Sequence, residues 1–156
     1  MRERVGPQGR VVGVDFNEHM VERARRRIAE AGWTNVEVLH ADATAMDLSG
    51  FDSAIASYSI SATHDVRATV RRIHAALEPG GKLLALDVRL EARGWSAPLV
   101  RALSALYRRI AGWTGVQVDH AAREVFASVV HIGAKGQPLT GELPGWPPLV
   151  NMVATK

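Results

Sequence analysis

Short apolar runs alternate with helical patterns along the chain as far as residue 88. Four runs have the β-branched or alternating character of strands, namely residues 10–15, 35–41, 51–58 and 82–88. Stretches with apolar side chains at helical spacing follow the first and the third of these runs. Short connections between such elements favour a parallel sheet covered by helices.

Both predicted helices have recognisable ends. Asn17 is predicted to cap the first helix, and Gly32 is predicted to end it. Asp65 is predicted to cap the second helix, which Pro79 and the two glycines after it would stop. The apolar face of this second helix consists of Val66, Val70, Ile73 and Leu77.

The last third of the chain has a different pattern. An amphipathic stretch follows Ser96, its predicted N-cap, and has Trp95 and Trp113 at its two ends. Its apolar stripe consists of Leu99, Leu103, Leu106 and Ile110. A short helix near residues 120–124 precedes two predicted strands, residues 125–132 and 149–154, which a loop rich in glycine and proline separates.

Because such a loop provides no crossover helix, these two strands are predicted to pair in antiparallel fashion. The whole chain, residues 1–156, is therefore predicted to be a single α/β domain. Its sheet would be Rossmann-like and mostly parallel, with helices on both faces and an antiparallel edge strand.

Composition narrows the class of protein. With 47% hydrophobic residues the chain can form a real core, and its apolar runs are too short to span a membrane. The N-terminus lacks a signal-peptide pattern, and cysteine is absent, which favours a cytoplasmic location. The six histidines lack metal-binding spacing, so no metal site is expected. The net charge is only +3 and the arginines are scattered, so no nucleic-acid partner is expected.

Two acidic residues follow neighbouring predicted strands. Asp15 ends the first strand and Asp42 follows the second. Side chains at these strand ends commonly bind ligands in α/β folds. One carboxylate can accept both hydroxyls of a ribose, and the other can accept the amino group of adenine. A cap or turn role for these acids stays open.

Four stretches resemble the class I S-adenosylmethionine-dependent methyltransferases, in the order and spacing of that family: residues 11–15, 40–48, 51–58 and 77–84. The resemblance implies S-adenosylmethionine as the cofactor. It also implies that Asp15 binds the ribose, that Phe16 flanks the adenine, and that Asp42 and Ala43 contact the adenine edge. Ser57 would face the methionine part.

The resemblance leaves the methyl acceptor less defined. Tyr58, which ends the third strand, and His64, which follows it, are the candidates for contact with the acceptor. Core packing is the alternative for Tyr58, and a solvated position is the alternative for His64. The helix after Ser96 resembles the lid of lipid- and quinone-type methyltransferases, which implies a small-molecule or lipid-like acceptor and peripheral membrane contact. Packing over the sheet is the alternative for this helix. Methyl transfer needs no protein nucleophile, because the sulfonium is already activated.

The glycine-rich loop of the family, with its G-x-G-x-G pattern, is not found before residue 10. Residues 1–9 resemble only the end of the helix that follows this loop. We therefore expect a domain without the first strand of the family fold and with low or absent transferase activity. The two strand edges left exposed would pair with each other, recruit a strand from another chain in a homo-oligomer, or leave the chain poorly folded and prone to associate.

Two other functions are considered. The first alternative is a non-catalytic methyltransferase-like fragment or a partner-binding protein. A nicotinamide-dependent short-chain dehydrogenase is disfavoured, because that family needs a Tyr-x-x-x-Lys pair. In this chain, alanine lies four residues after both Tyr58 and Tyr107.

Overall fold

The computed structural model describes residues 5–88, 97–111, 114–133, 136–139 and 149–156. The chain divides into two compact units, Met1–Met46 and Asp47–Lys156. The single-domain organisation stays a prediction. Ser96, Trp95 and Trp113, which the sequence placed around the amphipathic helix, lie outside the described residues.

The first unit contains β1 (Val11–Asp15), α1 (Glu18–Glu30) and β2 (Val36–His40). The two strands are parallel, with Val11 opposite Val36 and Asp15 opposite His40. Their carboxyl ends therefore coincide at one edge of this two-stranded sheet.

The predicted ends of α1 are confirmed. The Asn17 side chain accepts a hydrogen bond from the Met20 amide at 3.3 Å, which satisfies one of the amides left free at a helix start. Gly32 has a φ of +62°, a left-handed conformation that glycine adopts without steric cost. Val21 of α1 is fully buried in this unit.

The second unit contains β3 (Phe51–Ser57), α2 (Val66–Ala76), β4 (Leu77–Val88), α3 (Ala97–Ala111), α4 (Val118–Arg123), β5 (Ser128–His131) and β6 (Leu149–Thr155). Its strands are ordered β3-β4-β6-β5. β3 and β4 are parallel, and β6 is antiparallel to both β4 and β5. The antiparallel strand predicted at the edge is thus β6, one position inside the edge strand β5. The strands β3, β4 and β5 all run in the same direction.

The core of the second unit forms around alternate positions of β4, where Leu83, Ala85 and Asp87 are buried. Val88 points to the opposite face of the strand. It packs against Val100 of α3, so this helix contacts that face at the end of the strand. The Asp65 side chain accepts a hydrogen bond from the Ala68 amide at 2.9 Å, as predicted for the cap of α2.

Two strands begin several residues away from their predicted start. β4 begins at Leu77 instead of Lys82, because Leu77 pairs with Phe51 before a bulge, after which pairing resumes at Ser53 and Lys82. α2 consequently ends at Ala76. β5 begins at Ser128, since the preceding backbone still makes turn hydrogen bonds to α4.

The buried side of α3 also differs from the apolar stripe in the sequence. Val100 and Ser104 are buried, whereas Leu99, Leu106 and Ile110 are exposed. Among the described residues, no helix is long and apolar enough to cross a membrane.

Candidate functional site

The first unit brings Asp15 and Asp42 to adjacent strand ends. Asp15 is the last residue of β1, and its carbonyl accepts a hydrogen bond from the Ala41 amide at 3.1 Å. Asp42 follows Ala41 directly. Both acids therefore lie at the carboxyl end of the β1–β2 pair, where open parallel sheets bind ligands.

Local hydrogen bonds orient both carboxylates. Asp15 Oδ1 accepts from the Asn17 amide at 2.9 Å. Asp42 Oδ1 accepts from the Thr44 amide and from the Thr44 hydroxyl, each at 2.8 Å. The turn role that the sequence left open is thus present for both acids, and it gives each carboxylate a defined direction.

Phe16 and His40 complete this strand edge. The Phe16 side chain is 74% exposed, although it is aromatic and lies beside the sheet. His40 Nε2 lies 2.9 Å from the Phe16 carbonyl oxygen, and since a carbonyl only accepts, the ring nitrogen donates. Ala43 is half-buried beside Asp42. Sequence reasoning missed His40, which reads as an ordinary exposed polar residue of an alternating strand.

The other predicted site residues lie at or after the end of β3 in the second unit. Ser57 ends β3 opposite Leu86 of β4 and is exposed. Tyr58 is 51% exposed, so it does not belong to the core, and it is the only non-glycine residue of the described chain with a positive φ, at +51°. His64 is exposed next to the Asp65 cap.

Two buried acids in this unit had no signal in the sequence. Asp87 is fully buried near the end of β4. Asp119 of α4 is also buried, and its Oδ2 lies 3.2 Å from His131 Nε2 of β5. No group of three metal-ligating side chains occurs within the described ranges.

Comparison with known proteins gives a family for this arrangement. The family described as methyltransferase domain matches residues 1–135. Demethylmenaquinone methyltransferase of Listeria monocytogenes serotype 4a is 33% identical over 89 residues, which is 56% of this chain and 38% of that protein. The enzyme of the same name from Shouchella clausii is 29% identical over 69% of this chain and 43% of its own length. The chain thus spans about two fifths of these relatives.

Solved structures agree on the fold. A methyltransferase from Aquifex aeolicus aligns with 98% of this chain and 72% of its own, with a TM-score of 0.58 and 19% identity. The N-methyltransferase NodS from Bradyrhizobium japonicum, solved with S-adenosyl-l-homocysteine, aligns with 94% of this chain and 66% of its own, with a TM-score of 0.62 and 15% identity.

Proposed function

The chain belongs to the methyltransferase domain family, and we propose that it transfers a methyl group from S-adenosylmethionine to a quinone-like small molecule. S-adenosylmethionine is the cofactor of the class I members of this family. The observation that carries the proposal is the pair of acids, Asp15 and Asp42, at the ends of two adjacent parallel strands. The family match and the sequence resemblance support the same assignment.

The residues of the first unit fit the adenosine part of this cofactor. Asp15 presents a carboxylate that is held by the Asn17 amide, and a carboxylate suits two vicinal ribose hydroxyls. Asp42 and Ala43 would contact the adenine edge, and the exposed ring of Phe16 would lie along the adenine plane. By the family resemblance, Ser57 is proposed to face the methionine part.

The chemistry requires little covalent participation from the protein. When bound, S-adenosylmethionine supplies a methyl group already activated by its sulfonium. The role of this chain is to align the acceptor with that methyl group and to exclude water. Tyr58, with an exposed ring beside the end of β3, is proposed to contact the acceptor, and His64 is proposed to take up the proton that the acceptor loses.

The quinone-like acceptor follows from the relatives, several of which are named demethylmenaquinone methyltransferase. Their matches cover 56% to 69% of this chain and about two fifths of the relatives themselves, so the acceptor is the finer part of the proposal. The exposed apolar side chains of α3, among them Leu106 and Ile110, would suit an apolar acceptor.

Two measurements test the proposal separately. Calorimetry with S-adenosylhomocysteine tests the cofactor, and transfer of labelled methyl from S-adenosylmethionine to a prenylated 1,4-naphthoquinol tests the acceptor. Binding and transfer together would support the whole proposal. Binding without transfer to this probe would reject the acceptor and favour a non-catalytic, partner-binding role, and absence of binding would reject the cofactor.

A further inference from the structure

Asp87 is a fully buried carboxylate that the proposed chemistry does not use. It lies on β4 at the same face as Leu83 and Ala85, which are also buried. An ionisable side chain in such surroundings is costly unless its oxygens accept hydrogen bonds. The residues that donate hydrogen bonds to Asp87 therefore show which part of the fold depends on this carboxylate.

Three donors converge on the Asp87 carboxylate. The Ser61 amide donates to Oδ2 at 3.1 Å, and the Ser61 hydroxyl donates to Oδ1. The Val88 amide donates to Oδ1 at 2.7 Å. Two of the three donors belong to one residue, 26 positions earlier in the chain. Asp87 thus ties the segment after β3 to the end of β4.

The tied segment, residues 58–61, has an unusual backbone. Tyr58 has a φ of +51°, which side chains with a Cβ rarely adopt. Such a conformation persists only where its surroundings hold it. At the start of the segment, the Tyr58 amide donates a hydrogen bond to the Leu86 carbonyl at 2.8 Å. In its middle, the Ile60 side chain is buried and only 2% exposed. The Ser61–Asp87 hydrogen bonds fix the far end of the segment.

We infer that Asp87 is a positioning residue: through Ser61 it holds residues 58–61 in the shape that presents the Tyr58 side chain to the methyl acceptor. The inference rests on the proposed function only for the identity of what Tyr58 contacts. The conformational part depends on the second unit alone. Ser61 acts as the intermediary because both its backbone and its side chain donate to the same carboxylate.

The test compares Ser61→Ala, Ser61→Thr and Asp87→Asn. Ser61→Ala removes the hydroxyl donor, and Ser61→Thr keeps it. Asp87→Asn replaces one of the two acceptor oxygens of the carboxylate by an amide nitrogen, so a single oxygen remains to accept hydrogen bonds. The matched control is Lys156→Met, which removes a hydrogen bond of 2.6 Å to the Leu77 carbonyl at the opposite end of β4. All variants are made in the full 156-residue chain.

Hydrogen–deuterium exchange of residues 58–61 reads the conformation without requiring activity. We expect exchange there to rise about tenfold in Ser61→Ala and Asp87→Asn, as for the loss of a charge-assisted hydrogen bond. Ser61→Thr should stay close to wild type, and Lys156→Met should leave this segment protected. Unchanged exchange in both Ser61→Ala and Asp87→Asn would overturn the inference, even if the wild type transfers no methyl group.

Kinetics with the prenylated naphthoquinol read the function. We expect Ser61→Ala to raise the acceptor KM about tenfold, with the Kd for S-adenosylhomocysteine unchanged, and Ser61→Thr to restore the KM. An equal rise in Lys156→Met would show a general loss of stability and would overturn the positioning role. A wild type that binds S-adenosylhomocysteine but transfers nothing rejects the proposed acceptor, and the exchange result then decides the inference by itself.

Discussion

His40 donates from Nε2 to the carbonyl oxygen of Phe16, across the ends of two parallel strands, at 2.9 Å. Asp15, the residue before Phe16, is the register partner of His40. The hydrogen bond therefore closes the turn that carries both the predicted ribose ligand and the predicted adenine neighbour. His40 at the end of β2 thereby holds in place the candidate binding residues that lie at the end of β1.

Replacing His40 by leucine should weaken binding of S-adenosylhomocysteine by about 0.5–1.5 kcal/mol, the net contribution of one hydrogen bond. His40→Gln keeps an amide donor and should recover most of the affinity. Calorimetry on both variants checks this. Equal affinities for His40→Leu and wild type would show that the turn holds its shape without this bond.

Asp15→Ala should weaken binding of S-adenosylhomocysteine more strongly, by about 1.5–3 kcal/mol, because it removes a charged acceptor of ligand hydroxyls. Glu30→Ala, at an exposed position at the end of α1, is the control and should bind as wild type does. Calorimetry that finds Asp15→Ala and Glu30→Ala alike would remove Asp15 from the site.

Local signals in the sequence predicted much of the fold. Asn17 and Asp65 cap their helices as expected, because capping depends on residues three positions apart. The placement of Asp15 and Asp42 at adjacent strand ends also followed from the order of the elements.

What the sequence could not predict depends on contacts between distant residues. β4 starts at Leu77 because Phe51 pairs with it, and no local pattern contains that information. In the sequence, Asp87 has the pattern of a solvated strand residue. Its burial depends on Ser61, which only the fold brings into hydrogen-bonding distance. The buried side of α3 depends in the same way on Val88, which contacts Val100.

Val100→Ala should therefore lower the free energy of unfolding by about 2 kcal/mol, since it removes buried apolar volume. Ile110 is 75% exposed, so Ile110→Ala should change the stability by less than about 0.5 kcal/mol. Urea denaturation of the two variants measures both values. A larger loss in Ile110→Ala than in Val100→Ala would restore the stripe predicted from the sequence as the packing face.

The stability of the fold should fall as the pH falls below about 6.5, partly through His74. Burial, and to a lesser extent the positive charge of Lys156, lowers the pKa of the His74 imidazole below its ordinary value of 6.5. The unfolded chain then binds a proton more readily than the folded chain. The contribution is therefore fully present above the unfolded pKa and is lost as the pH drops towards and through the folded one.

Thermal melting of wild type and His74→Gln between pH 5 and pH 8 separates this contribution from the others. The glutamine variant, which does not titrate, should lose less stability on acidification. His74 also makes an edge-to-face contact with Phe126, with ring centroids 5.0 Å apart, so the variant should be less stable at every pH. Parallel melting curves against pH would exclude His74 as a source of the acid sensitivity.

A side chain at Gly81, in the bulge of β4, should destabilise the fold. A Cβ at this position would lie 2.8 Å from the Glu78 carbonyl oxygen and 3.3 Å from the Asp52 carbonyl oxygen, and backbone atoms cannot move aside as a flexible side chain can. Gly81→Ala should cost about 1–3 kcal/mol of stability, the range for overpacking. Lys82→Ala, at the next and exposed position, should cost less than about 0.5 kcal/mol.

The same variant should also affect the candidate site, because the bulge sets the register of the strands beyond it. Pairing resumes at Ser53 and Lys82 and continues to Ser57 opposite Leu86, whose carbonyl accepts from the Tyr58 amide. A shift at Gly81 should therefore loosen Tyr58, and amide exchange of Tyr58 should rise in Gly81→Ala but not in Lys82→Ala. A Gly81→Ala protein with the melting temperature and the Tyr58 exchange of Lys82→Ala would show that the bulge tolerates a Cβ and does not control the register.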